Sequence, residues 1–267
     1  MRRVDTIPEM PMRWTKLLTP MLACAVALTA QAPRKTVAVV AAASMRDALN
    51  EAKGVFEKAR ADVKLQVTYG ASGSLTAQIQ QGAPVDVFLS ADMAFPEKLV
   101  QAGLVTAEGV VPYARGMLVL WVRKDTGADP ATQGMKALLN PAIKHVSIAN
   151  PKLAPYGLAA ETALKKAGLH ETVLPKVVLA ENINQAAQYL YTNAAEAGFI
   201  ALSLMDNPAL KANGWVWPVP QELFAPIIQG GVVLKRSQQQ AESRQFLDFL
   251  ARGEGFKVLQ RYGFEKP

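Results

Sequence analysis

"VKLQVTYGASGSLTAQIQQGAPVDVFLSAD", Val63–Asp92, reads as one strand–helix–strand unit. Leu65, Val67 and Tyr69 alternate with Lys64, Gln66 and Thr68, the two-residue period of a strand with one buried face. A helix is expected around Leu75–Gln81, ended by Gly82 and Pro84, and "VDVFLS" is the short apolar run of a buried strand. Between strand and helix, "YGASGSL" gathers backbone and hydroxyl groups at a single turn. Three readings of that turn are open: a helix cap, a seat for an anion, and a nucleophilic serine.

The same rhythm extends in both directions. Upstream, "TVAVVAAAS" reads as a buried strand, and Ala48, Ala52, Val55, Phe56 and Ala59 then form one stripe of an amphipathic helix. Strand and helix therefore alternate as in the βαβ units of a parallel sheet. Downstream the pattern restarts with "GMLVLWV" (Gly116–Val122) and "VSIANP", followed by a helix from about Gly157 to Ala167. "VVLA", the helix in "NINQAAQYLYTNA", the strand "GFIALS" and the strand "GGVVL" (Gly230–Leu234) follow, and a C-terminal helix carries Phe246, Phe249 and Leu250. Pro-rich "WPVPQELFAPI" (Trp217–Ile227) suits a crossing segment, because proline disfavours regular helix. The expected fold class is α/β, with two lobes around a ligand cleft. Residues 33–115 with 226–267 would form one lobe and residues 116–225 the other, joined by two hinge crossings.

Composition excludes several function classes. The chain has 267 residues, 50% hydrophobic and 19% charged, which describes an ordinary globular protein. Residues 1–32 read as a signal peptide: Arg2, Arg3, Arg13 and Lys16 make a basic region before the apolar "LLTPMLACAVALTA", and Ala30-Gln31-Ala32 fits a cleavage site. Pro33 would hinder a cut after Ala32, so a cut after Ala30 is the alternative. The leader holds four of the 29 basic and two of the 22 acidic residues, leaving 25 against 20, a net of +5. No basic cluster stands out, so nucleic acid is not an expected partner. Cys24 lies in the leader, which removes disulfides and thiolate sites from the remainder. His145 and His170 are not at ligand spacing, so no bare metal cation is expected, and no nucleotide-binding glycine motif points to a cofactor.

Four strand-to-helix junctions share one construction: "AAASMRDA", "YGASGSL", "NPKLAPYGLAA" and "AENINQAA". A helix start exposes unpartnered N–H groups and the positive end of the helix dipole, and in open α/β sheets ligands collect at such ends. Ser44 and Ser72 would add hydroxyl donors, although a serine at a helix start is ordinarily its N-cap. "GASGS" also falls one residue short of the nucleophile elbow G-x-S-x-G. A hydrolase would use Ser72 with Asp86 or Asp92 and then His145 or His170. The two aspartates are better suited to capping and hinge hydrogen bonds, Arg46 to solvation at a helix start, and Trp215 and Trp217 to packing of a strand.

Taken together, these junctions resemble the periplasmic molybdate-binding proteins of ABC transporters. The resemblance runs from "VVAAASMRDAL" to "LQRYGF" and includes "GASGSLTAQIQQGAPVDVFLSAD", "ANPKLAPYGLAAETAL" and "AENINQAAQYL". It implies the two-lobed type II periplasmic binding protein fold and a non-enzymatic function. It also implies a periplasmic monomer that hands its ligand to a membrane permease. The ligand would be molybdate or tungstate, held as an oxyanion by neutral donors, with no separate cofactor. By motif position Ser44 and Ser72 would each bind through hydroxyl and backbone N–H, and Tyr156 and Ile183 through backbone N–H. Many relatives have a tyrosine hydroxyl where this chain has Ala201, in "GFIALS". The hydroxyl of Tyr156, where many relatives have a smaller residue, is the candidate replacement. Rival readings are a binding protein for sulfate or another oxyanion, and a serine hydrolase using Ser72.

Overall fold

The computed structural model describes residues 34–267; the signal-peptide reading of residues 1–32 lies outside the described residues. The chain forms β1 (Lys35–Ala42), α1 (Arg46–Ala59), β2 (Val63–Gly70), α2 (Ser72–Gln80), β3 (Val87–Leu89), α3 (Ala94–Gln101) and β4 (Val111–Gly116). It continues through β5 (Leu118–Arg123), α4 (Pro130–Gln133), β6 (Val146–Ala149), α5 (Pro155–Lys166), α6 (His170–Val173), β7 (Val177–Ala180) and α7 (Ile183–Tyr191). After β8 (Ala197–Ala201), α8 (Pro208–Asn213) and β9 (Gly214–Pro218), it returns through β10 (Ile227–Val233), α9 (Gln240–Arg252) and α10 (Glu254–Arg261).

The strands make two five-stranded sheets, ordered β2-β1-β3-β10-β4 and β7-β6-β8-β5-β9. In each, three strands run parallel and the fourth in order is antiparallel to its neighbours. The sheets are therefore mixed rather than purely parallel. The cause is the connectivity: the antiparallel strand of each sheet, β10 or β5, is the one that arrives from the other sheet. The two crossings run side by side, since Gly116 pairs with Ile227 in the first sheet and Val119 with Pro218 in the second. This is the α/β, two-lobed fold expected of the sequence.

Each lobe has its own packing. On one face of the first sheet, Phe56 of α1 meets Phe246 of α9 edge-on at 5.1 Å between ring centroids, among Leu49, Leu250 and Leu259. Leu75 and Ile79 of α2 pack with Phe88 and Leu99 on the other face. The second sheet centres on buried Trp121, whose indole N–H donates to the Leu210 carbonyl at 2.9 Å. Its core also takes in Ala42, Ala43, Ala71 and Ala91, from the carboxyl ends of the first sheet's strands. Small side chains thus let the two lobes meet where the strand ends point at one another.

Several elements differ from the sequence reading. β4, an edge strand interrupted by Pro112, carries no period clear enough to be read from the chain alone, and the C-terminal helix of the sequence reading is two helices: Gly253 separates α9 from α10, which buries Phe256, Val258 and Leu259 on one face. The helices α2 and α5 begin at Ser72 and Pro155, before the first periodic apolar residues. That difference of two or three residues places Ser72 and Tyr156 in first helical turns.

Candidate functional site

The four junctions named above are the carboxyl ends of β1, β2, β6 and β7. β1 runs into a short 3-10 turn, Ala43–Met45, that leads into α1. The residues at the N-cap positions of that turn, α2 and α5 are Ala42, Ala71 and Ala154, and no side chain caps any of the three. Alanine in place of a polar cap costs a helix about 0.5–2 kcal/mol. Ser72 is thus not the cap that a serine at a helix start usually is; it occupies the first helical position, and Ser44 sits within the 3-10 turn. The fourth start, α7, is capped by Asn182, whose Oδ1 accepts from the N–H groups of Asn184 and Gln185 at 3.0 Å each. Ile183, ahead of both, keeps its N–H.

The backbone N–H groups of Ser44, Ser72, Tyr156 and Ile183 find no acceptor among the described residues. All four residues are buried. A helix end buried without partners for its N–H groups is a place where a ligand supplies them. The hydroxyls add to this. Ser72 Oγ accepts from the Ala91 N–H at 3.0 Å, which leaves its proton to donate elsewhere. Ser44 Oγ is sealed from solvent without any partner of hydrogen-bonding geometry.

Three hydrogen bonds tie the lobes together around these groups. The Gly73 N–H donates to the Leu153 carbonyl at 2.9 Å, just before α5. Ser203 Oγ, beyond β8, donates to the Ser44 carbonyl at 2.7 Å. Gln229 Nε2 of β10 donates to the Tyr156 hydroxyl at 3.2 Å. Tyr156 reaches Gln229 by lying across Gly116, at the end of β4. A Cβ on Gly116 would stand 1.9 Å from the Tyr156 oxygen. Burial raises the Tyr156 pKa well above the usual phenol value, with the neighbouring Ser44 and Gln229 side chains opposing that rise. Tyr156 is therefore a neutral hydroxyl.

Among the described residues, no lysine or arginine side chain hydrogen-bonds to Ser44, Ser72, Tyr156 or Ile183. Arg46 is not simply solvated, as its position in the sequence suggests: its guanidinium carbon lies 5.0 Å from the ring centroid of Tyr69, and its Nε is buried. Ala201 ends β8 fully buried and contributes only a methyl group.

The residues of a hydrolase are not assembled. His145 stands beside Glu196, and His170 beside Glu161 and Glu171; neither hydrogen-bonds to Ser72, Asp86 or Asp92. Asp86 instead accepts from the Ala38 N–H and from Ser237 Oγ, joining β1 to the segment after β10. Asp92 accepts from Ser90 Oγ and the Phe95 N–H at the start of α3, and burial raises its pKa. Trp217 packs half-buried on the core of the second lobe, and Trp215 is half-buried in edge strand β9.

The sequence reading missed Gly116, Leu153, Ser203 and Gln229. One of them had a visible mark: Gln229 is the single polar residue of the apolar strand "IIQGGVV".

A family model described as bacterial extracellular solute-binding protein matches residues 37–265. The chain belongs to that family. It is 40% identical over 246 residues to the molybdate-binding protein ModA of Azotobacter vinelandii, covering 91% of this chain and 93% of that one. It is 42% identical over 201 residues to ModA of Rhodobacter capsulatus, covering 74% and 77%. The solved structure of the Azotobacter vinelandii periplasmic molybdate-binding protein superposes with a TM-score of 0.78 at 33% identity, covering 86% of this chain and 99% of that one. This solute-binding protein thus shares its fold and most of its length with proteins named for molybdate.

Proposed function

We propose that this solute-binding protein captures molybdate or tungstate outside the cytoplasmic membrane and delivers it to the permease of an ABC transporter. Residues 1–32 would direct export, residues 33–115 with 226–267 would form one lobe and residues 116–225 the other, and the protein would act as a monomer without catalysis. The observation that carries the reading is the set of uncapped, buried N–H donors at Ser44, Ser72, Tyr156 and Ile183, joined by the hydroxyls of Ser44 and Ser72. Relatives named for molybdate support the choice of ion.

The chemistry follows from solvation. A dianion stripped of water needs every oxygen satisfied, and uncompensated burial of charge is prohibitive. Helix-start N–H groups and hydroxyls supply hydrogen bonds to charged oxygens, each contributing about 1.5–3 kcal/mol, without a neutralising lysine or arginine. A site made of donors disfavours oxyanions that carry a proton, because that proton would face another donor. Sulfate has the same charge and shape but is smaller, and would leave some donors too far away to pair. Calorimetric titration with molybdate, tungstate, sulfate and phosphate tests the reading. Molybdate and tungstate should bind tightly and the other two weakly; sulfate binding without molybdate binding would overturn it.

A further inference from the structure

Gln229 is fully buried, and a buried amide needs partners for both its oxygen and its nitrogen. Its Oε1 accepts from the Tyr113 hydroxyl at 2.8 Å, and its Nε2 donates to the Tyr156 hydroxyl at 3.2 Å. The Tyr113 oxygen also lies 3.2 Å from the Ser90 carbonyl, so its proton faces acceptors on both sides. Tyr113 and Gln229 sit on adjacent strands of the first sheet, β4 and β10. Tyr156 comes from α5 in the other lobe.

The chain of bonds has a direction. Tyr113 gives its proton to Gln229, and Gln229 gives an amide proton to Tyr156. The Tyr156 oxygen is thereby used as an acceptor, and its own single proton is left over. The next polar group beyond it is Ser44, whose hydroxyl lies near enough to Tyr156 to oppose the rise of its pKa but makes no hydrogen bond of good geometry there. The remaining proton is therefore free to turn away from Gln229, on the side where Ser44, one of the four donor residues, lies. Aligned donors polarise one another, so a relay ending on an anion strengthens its last bond.

We propose that Gln229 and Tyr113 are positioning residues: they hold the Tyr156 hydroxyl with its proton directed at the bound oxyanion, through a relay that lobe closure completes. Tyr156 meets Gln229 only when α5 lies over Gly116, so the extra donor is present in the closed form and withdrawn in the open one. This rests on the oxyanion reading above and adds to it two residues that need not touch the ion.

The test is calorimetric titration of the purified protein with sodium molybdate for wild type, Tyr156→Phe, Gln229→Met and the double variant. Thermal unfolding of each without ligand checks the fold. Tyr156→Phe should weaken binding on the order of tenfold, as loss of one hydrogen bond to a charged group does. Gln229→Met should weaken it several-fold, and the double variant should bind no more weakly than Tyr156→Phe alone, because the relay acts through that hydroxyl. A purely structural glutamine would instead give losses that multiply. Multiplying losses, or unchanged affinity in Tyr156→Phe, would overturn the relay while wild-type binding leaves the oxyanion reading standing. A wild-type protein indifferent to molybdate would overturn both. If Gln229→Met does not fold, Tyr113→Phe takes its place in the same cycle with the same expectations.

Discussion

Ser203 and Ser44 stand on opposite lobes, and the hydroxyl of one donates to the carbonyl of the other at 2.7 Å. Ser44 is thus held at two levels: its N–H and hydroxyl face the proposed ligand space, while its carbonyl is fastened from across the cleft. The bond from Ser203 exists only where the lobes meet, so its energy counts toward closure rather than toward folding of either lobe.

Ser203→Ala should therefore weaken molybdate binding while leaving the ligand-free protein nearly as stable. A neutral hydrogen bond contributes about 0.5–1.5 kcal/mol, which is about 2- to 12-fold in affinity. Calorimetry and ligand-free unfolding measure the two effects. A large stability loss without ligand would mean that the bond holds the lobes together regardless of what they bind.

Ser72→Ala removes a donor from the site and also deprives the Ala91 N–H of its acceptor. The expected loss is about 1.5–3 kcal/mol, roughly 10- to 150-fold in affinity. Ser74→Ala, two residues along the same helix, is the control and should change affinity by less than about twofold, within the range of ordinary surface substitutions. Equal losses at both positions would place the functional hydroxyl elsewhere.

The fold was legible in the sequence because its strands are short apolar runs and its main helices show a clear stripe, as in Ala48, Ala52 and Phe56. The edge strand β4 was not, because Pro112 and Arg115 break the alternation, and neither was the antiparallel direction of β5 and β10, which depends on which lobe the chain comes from. At the candidate site, Ser44 and Ser72 stood out as hydroxyls at strand-to-helix junctions, whereas Tyr156 and Ile183 came only through the resemblance to molybdate-binding proteins, because a backbone N–H leaves no mark on side-chain type. The alanines Ala42, Ala71 and Ala154 carried a clue that pattern alone did not expose: a helix that starts on alanine and is buried must find its cap in something else. Contacts between lobes, such as Gly73 with Leu153, join residues far apart in the chain through ordinary backbone groups and leave no mark on side-chain type.

Gly116→Ala tests the seat of Tyr156. The added methyl would lie 1.9 Å from the phenol oxygen and 2.9 Å from Gln229 Nε2, so Tyr156 could not settle across β4. Overpacking of this kind costs about 1–3 kcal/mol, and the cost falls mainly on the closed form. Affinity for molybdate should drop by about 5- to 150-fold, chiefly through faster release, because an incompletely closed cleft holds its ligand less long. Stopped-flow release measurements would check this; an unchanged release rate would show that the tyrosine can settle elsewhere without loss.

Dependence on pH separates neutral donors from charged ones. Amide N–H groups and serine hydroxyls do not titrate in the ordinary range, and burial pushes the Tyr156 pKa upward, so that donor stays protonated. Molybdate affinity should therefore be flat between about pH 6 and 9. A decline within that range would show that a titrating side chain takes part in binding and would sink the neutral-donor account. Stability should behave differently at higher pH. Tyr113 and Tyr156 both have pKa values raised by burial. Above about pH 10, the usual phenol value, the unfolded chain loses these protons while the folded chain keeps them. The unfolded state then binds fewer protons, so the slope of stability with pH is negative: the stabilisation is whole below about pH 10 and is lost progressively above it. Tyr69 and Tyr262, each pushed up to about 12 chiefly by burial, add to the same slope. Denaturant unfolding at a series of alkaline pH values measures that slope, and Tyr113→Phe should make it shallower by removing one of the four phenols.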